Sequence, residues 1–102
     1  MLFRRTPSTL TLIAELPDSQ TTRDVPRNIA VESGKLYIIA SSLGYNNNPA
    51  IVINSGATVI ANSGQNSRVN IMLISTTSTT LSVTMPSNAF TSYTFVNISK
   101  LS

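Results

Sequence analysis

Apolar residues along this chain fall mostly on every second position, the period of an extended strand rather than a helix. The clearest stretch is residues 68–86, RVNIMLISTTSTTLSVTMP. Ile71, Leu73 and Ser75 share one parity, and Met72, Ile74 and Thr76 the other. Beyond Thr77 and Ser78, Leu81, Val83 and Met85 alternate with Ser82 and Thr84. This pattern predicts two strands folded on each other as a hairpin. The second strand has an apolar face and a hydroxyl face. The first is apolar on both, which predicts a central strand covered on both sides or one whose second face meets a partner.

The rest of the chain reads the same way. Residues 9–16, TLTLIAEL, form a strand with Leu10, Leu12, Ala14 and Leu16 on one parity, ended by Pro17. A polar loop follows to Pro26. Residues 28–32 make a short strand with Ile29 and Val31 inward, and Ser33-Gly34 a turn. Residues 35–43, KLYIIASSL, place Tyr37 and Ile39 on one face and Leu36, Ile38 and Ala40 on the other. GYNNNP, at 44–49, is a loop of turn formers. Strands at 50–53 and 57–61 are predicted to be joined as a hairpin by Asn54-Ser55-Gly56. After a crossover at 86–91, residues 92–101 form a last strand, with Tyr93 and Phe95 on one parity and Val96 and Ile98 on the other. The expectation is an all-β, single-domain β-sandwich of the jelly-roll type, with about eight short antiparallel strands over residues 8–102, preceded by an N-terminal arm at 1–7.

Composition sharpens this picture. The 102 residues suffice for one core. Ser, Thr and Asn account for 38 of them, and only 11 are charged. Nine of those charges lie in residues 1–35, and no carboxylate side chain follows Glu32. A surface so poor in charge has little to oppose association, so a homo-oligomer or a place in a larger assembly is expected. The net charge of +3 is diffuse, and Arg4-Arg5 is the only adjacent basic pair, which argues against a nucleic-acid partner. No run approaches 18 apolar residues, so no membrane-crossing helix is expected. Thr9, Thr11 and Glu15 interrupt the apolar run after Arg4-Arg5, which reads as an arm rather than a secretion signal.

The candidate chemistry is sparse. Without His or Cys there is no Ser-His or Cys-His nucleophile pair, and neither a disulfide nor a thiolate metal site. Acid–base work would fall to Glu15, Asp18, Asp24 and Glu32, which read as ordinary charges balanced by Arg23, Arg27 and Lys35. Asp18 and Asp24 are the only pair that Ca²⁺ could recruit, too few carboxylates for its usual shell. No enzyme, cofactor or metal is therefore expected. The Asn97-Ile98-Ser99 sequon reads as coincidental on a strand. Tyr45 beside Asn46, Asn47 and Asn48 carries the stacking surface and amides that recognise sugar hydroxyls, with Tyr93 a further candidate.

Two resemblances follow from these residues. VESGKLYIIASSL, AIVINSG, VNIMLISTTSTTLSVTMP and YTFVNISKL, in that order, resemble the galactose-binding-like jelly roll of many carbohydrate-binding modules. In those modules a Gly-Lys-x-Tyr strand opens the core, a hairpin of strand, Thr-rich turn and strand follows, and a final strand returns beside the first. The match runs from Val31 to Leu101. Such modules commonly use Trp or Tyr platforms and acidic Ca²⁺ ligands. This chain has no Trp, and the matching stretch holds one carboxylate, so the resemblance implies the fold before it implies sugar binding. In texture, the chain resembles small Ser/Thr/Asn-rich accessory proteins of bacteriophage virions, such as decoration proteins and tail modules. That resemblance implies a non-enzymatic structural protein, made in the host cytoplasm without a secretion signal. It would dock on virion proteins or its own copies through an apolar sheet face or through its arm at Leu2, Phe3, Arg4 and Arg5. The alternative is a module reading a cell-surface glycan or receptor with Tyr45 and Asn46 to Asn48.

Overall fold

The structure is a computed structural model that describes residues 9–16, 24–42, 51–63, 69–85 and 95–102. Eight strands are present among them: β1 (Leu10–Leu16), β2 (Arg27–Ala30), β3 (Leu36–Ser42), β4 (Val52–Ser55), β5 (Ala57–Asn62), β6 (Val69–Thr76), β7 (Thr80–Thr84) and β8 (Phe95–Leu101). They form two antiparallel sheets, one ordered β1-β8-β3-β6-β5 and the other β2-β7-β4. The first strand pairs with the eighth, the second with the seventh and the third with the sixth. These three pairs are nested and build a two-sheet β-sandwich, while β4 and β5, the next pair inward, do not pair with each other. β8 lies between β1 and β3, so the last strand does return beside the first.

Alternation decides what each sheet buries. The five-stranded sheet contributes Leu16, Tyr37, Ile39, Met72, Ile74, Val96 and Ile98 to the core, and the three-stranded sheet contributes Ile29, Leu81 and Val83. Ile51 and Met85, flanking β4 and β7, complete it. Each such side chain removed from water contributes about 1.5–3 kcal/mol before conformational entropy is charged against it. The inward residues of the seventh strand are those that alternation predicted. On the third and sixth strands, apolar at both parities, alternation grouped Tyr37 with Ile39 and Met72 with Ile74, and the sheet pairing decides that these face inward. Polar groups at the sheet ends are tied to backbone. The Tyr37 hydroxyl accepts from the Glu32 N–H at 2.9 Å. Buried Thr76 Oγ1 accepts from the Lys35 N–H at 3.0 Å and donates to the Glu32 carbonyl at 2.5 Å.

The two predicted hairpins are not hairpins. β6 and β7 sit in different sheets, as do β4 and β5, so residues 77–79 and Gly56 each carry the chain from one sheet to the other. The reason is partner saturation. β6 already has β3 on one side and β5 on the other, while β7 lies between β2 and β4. The two arches hold each other through the Thr77 N–H, which donates to the Gly56 carbonyl at 2.9 Å. Gly56 has φ +93°, and a Cβ there would lie 2.1 Å from the Thr80 carbonyl oxygen. Only glycine fits where the arches cross.

A second correction concerns the first strand. Its ladder slips between Leu12 and Ala14, leaving an extra residue at Ile13. Leu10 and Leu12 therefore share a face with Leu101 and Ser99, whereas Ala14 and Leu16 share the opposite one with Ile98 and Val96. The four apolar residues that sequence parity put together are split two outward and two inward.

Candidate functional site

The site that emerges is the outer face of the five-stranded sheet. β3 and β6 carry apolar residues at both parities, and only one parity can face the three-stranded sheet. Register fixes what stands on the other side. One row across the sheet reads Leu10, Leu101, Leu36, Ser75, Thr58. The next reads Leu12, Ser99, Ile38, Leu73, Ala61, and a third Glu15, Asn97, Ala40, Ile71. A fourth holds Phe95, Ser42 and Val69. Ile71 is 49% exposed and Leu12 also 49%, although both would lose water readily against an apolar partner.

The extent of the face follows from its strands. Five strands at about 4.8 Å spacing, most of them seven residues long at about 3.4 Å each, span about 24 Å by about 24 Å, or about 580 Å². Among the outward positions in these rows the one charge is Glu15, on the border strand β1, and none stands on β3, β6 or β8. The edges of this sheet are guarded. β1 and β5 both carry bulges, at Leu12/Ala14 and Val59/Ala61. A bulged edge twists away from straight strand addition, so what this sheet offers is its face.

The outer face of the three-stranded sheet is its chemical opposite. Asn28, Ala30, Thr80, Ser82, Thr84, Val52 and Ser55 stand there by register. Asn54 Nδ2 donates to Ser82 Oγ at 3.2 Å and to Thr84 Oγ1 at 2.6 Å, laying an amide over the hydroxyls of β7. These hydroxyls match the hydroxyl face read from the alternation of residues 81–85.

An ion pair stands at the end of the sandwich where the turn before β3 lies. Lys100 Nζ forms an ion pair with Glu32 beside the turn that precedes β3. The hydrogen bond from Lys100, with its positive charge, holds the Glu32 carboxyl below the usual glutamate range. The same bond raises the Lys100 ammonium above its ordinary value. The carboxylates singled out in the sequence are not gathered. Glu15 pairs across to Asn97, Glu32 is held by Lys100, and the Asp24 N–H donates to the Met85 carbonyl at the far end of β7. Asp18 lies outside the described residues. Among the described residues no group of three or more His, Cys, Asp or Glu is placed to hold a metal.

The other sequence candidates, Tyr45 with Asn46, Asn47 and Asn48, Tyr93, and the arm at Leu2, Phe3, Arg4 and Arg5, also lie outside the described residues. Sequence reasoning did find the centre of the outer face, through the parity of Leu36, Ile38 and Ala40 and of Ile71 and Leu73. It missed the contribution of Leu10 and Leu12, because nothing in an alternating run marks the bulge that turns them outward. Comparison with known proteins adds no relative: no family model, no curated protein and no solved structure matches this chain.

Proposed function

We propose that this chain is a non-enzymatic assembly protein that docks through the outer face of its five-stranded sheet, as an accessory module of a phage virion would. The observation that carries the reading is the apolar face itself, free of charge across β3, β6 and β8. Eleven of the 17 outward positions in the four rows are apolar, and large exposed apolar patches are uncommon on monomeric soluble proteins and mark interaction sites. Bulged edges favour contact through the face over strand addition. The opposite sheet, coated with hydroxyls and an amide, then points away from the docking surface. The virion setting rests on texture: a small β domain rich in Ser, Thr and Asn, with no cysteine. The glycan-reading alternative rests on the Tyr45 loop alone, outside the described residues, so the sheet face takes precedence.

Hydroxyl-radical footprinting tests this reading on the chain in the particle or complex with which it is purified, compared with the released chain. Leu12, Leu36 and Ile71 should be protected in the complex, while Val52, exposed on the other sheet, should label equally in both states. Equal labelling of Leu36 and Ile71 in the two states would overturn the reading.

A further inference from the structure

Resting on that reading, we infer that the occupant of the outer face is a second copy of this chain, docked face to face about a twofold axis. Area is the first argument. Complete overlap of two faces of about 580 Å² each covers about 1,160 Å² in total, a little above the roughly 1,000 Å² that a specific interface needs. A partner much smaller than the sheet would leave apolar rows in water, whereas an identical sheet matches the face in both dimensions.

Charge is the second argument. The chain carries a net charge of +3, so two copies repel at long range. The face that would meet its twin has no charge on its three central strands. Glu15 stands on the border strand β1, at the end of its row. Identical uncharged surfaces meet without the like-charge cost that two basic surfaces would incur.

Closure is the third. An isologous contact uses the same patch on both partners and stops at two. Propagation would need a second apolar face or a straight free edge. Among the described residues the other sheet presents Thr80 and Thr84 outward, with Ser82 buried beneath Asn54 and Val52 the one exposed large apolar residue. Three edge strands, β1, β5 and β4, are bulged, and the fourth, β2, has four residues. The geometry therefore points to a closed dimer of stacked sheets and not to a fibre. Two sheets packed this way lie about 10 Å apart with interdigitating side chains.

The test is the molar mass of the full chain by light scattering, from micromolar concentration upward. The wild type should run at twice the 10.9 kDa chain mass. Ile71→Lys places an ammonium in the interface twice, once per copy, and should raise the dissociation constant by about a hundredfold or more. Thr80→Lys, on the opposite sheet, should leave the dimer intact. Circular dichroism checks that Ile71→Lys folds; Ile71→Thr, which keeps the β-branched shape, is the second variant and should weaken the dimer in the same direction. A chain lacking residues 1–7 should still dimerise. A dimer lost on that trimming but unaffected by both Ile71 variants overturns the inference in favour of the arm. A monomeric wild type overturns it as well. If Ile71 is then protected in the footprint of the native complex, docking stands with a different partner; if it is not, both fall.

Discussion

Replacing Gly56 by alanine tests the arch geometry that separates this fold from a set of hairpins. A Cβ on Gly56 would lie 2.1 Å from the Thr80 oxygen, 3.0 Å from the Thr80 carbonyl carbon and 3.1 Å from the Leu81 Cα. All three are backbone atoms, at the start of a strand held on both sides by β2 and β4, so no side chain can swing away. Gly34 supplies the control. It too has positive φ, +74°, but a Cβ there meets nothing within 4 Å. Gly34→Ala therefore carries only the backbone penalty of about 1–2 kcal/mol, offset by about 0.5 kcal/mol from the stiffer unfolded chain. Gly56→Ala carries the same penalty plus displacement of the Thr80 peptide and of the Thr77-to-Gly56 hydrogen bond, about 3–5 kcal/mol in all. For a domain of this size the melting temperature should fall by about 5 °C for Gly34→Ala and by at least about 15 °C for Gly56→Ala. Thermal and urea unfolding of both variants measures the difference. Equal losses would refute the crossing of the two arches at Gly56.

Two further outcomes are expected. Thr76→Val keeps the shape of a buried side chain but removes the acceptor for the Lys35 N–H and the donor to the Glu32 carbonyl, so urea unfolding should show a loss of about 2–3 kcal/mol. The Glu32–Lys100 pair gives a small pH dependence of known sign. Because the Glu32 pKa is lowered in the fold, its contribution is complete above its ordinary value and is lost as pH falls through the lowered one. The raised Lys100 pKa gives a contribution complete below its ordinary value and lost as pH rises through the raised one. Lys100→Met should flatten both limbs of a midpoint-against-pH curve by an amount limited by the exposure of both groups, and an unchanged curve would remove the pair from the account.

Local alternation carried most of the fold. Leu81 and Val83 face the core as their parity required. Tyr37 with Ile39 and Met72 with Ile74 share the inward side as parity grouped them, although β3 and β6 are apolar at both parities and alternation left open which side was inward. What alternation cannot encode is which strand lies beside which. Asn54-Ser55-Gly56 and Thr77-Ser78-Thr79 are turn chemistry in either case, and the same residues serve a hairpin within one sheet or an arch between two. That residues 69–76 are apolar on both parities marks a central strand, but a central strand can take a hairpin partner on one side, so the pattern does not separate the hairpin from the arch. Bulges are equally silent. Leu10, Leu12, Ala14 and Leu16 look like one stripe, and a single slipped residue at Ile13 sends half of it outward, enlarging the candidate site. The charge-free character of that site was legible in composition, since only Arg68 and Lys100 carry charge after Lys35. Its position on the five-stranded sheet required the register.

The absence of cysteine makes the most direct measurement simple, because a single introduced thiol reports on its own surroundings. Ile71→Cys places one on the outer face, on β6, and Thr80→Cys places one on the opposite sheet. The rate of thiol labelling is measured for each across the concentration range in which the dimer forms. Labelling at position 71 should slow as concentration rises while labelling at position 80 stays constant. Rates at position 71 that do not change with concentration, in a protein shown by light scattering to be associated, would contradict the claim that this face is the contact.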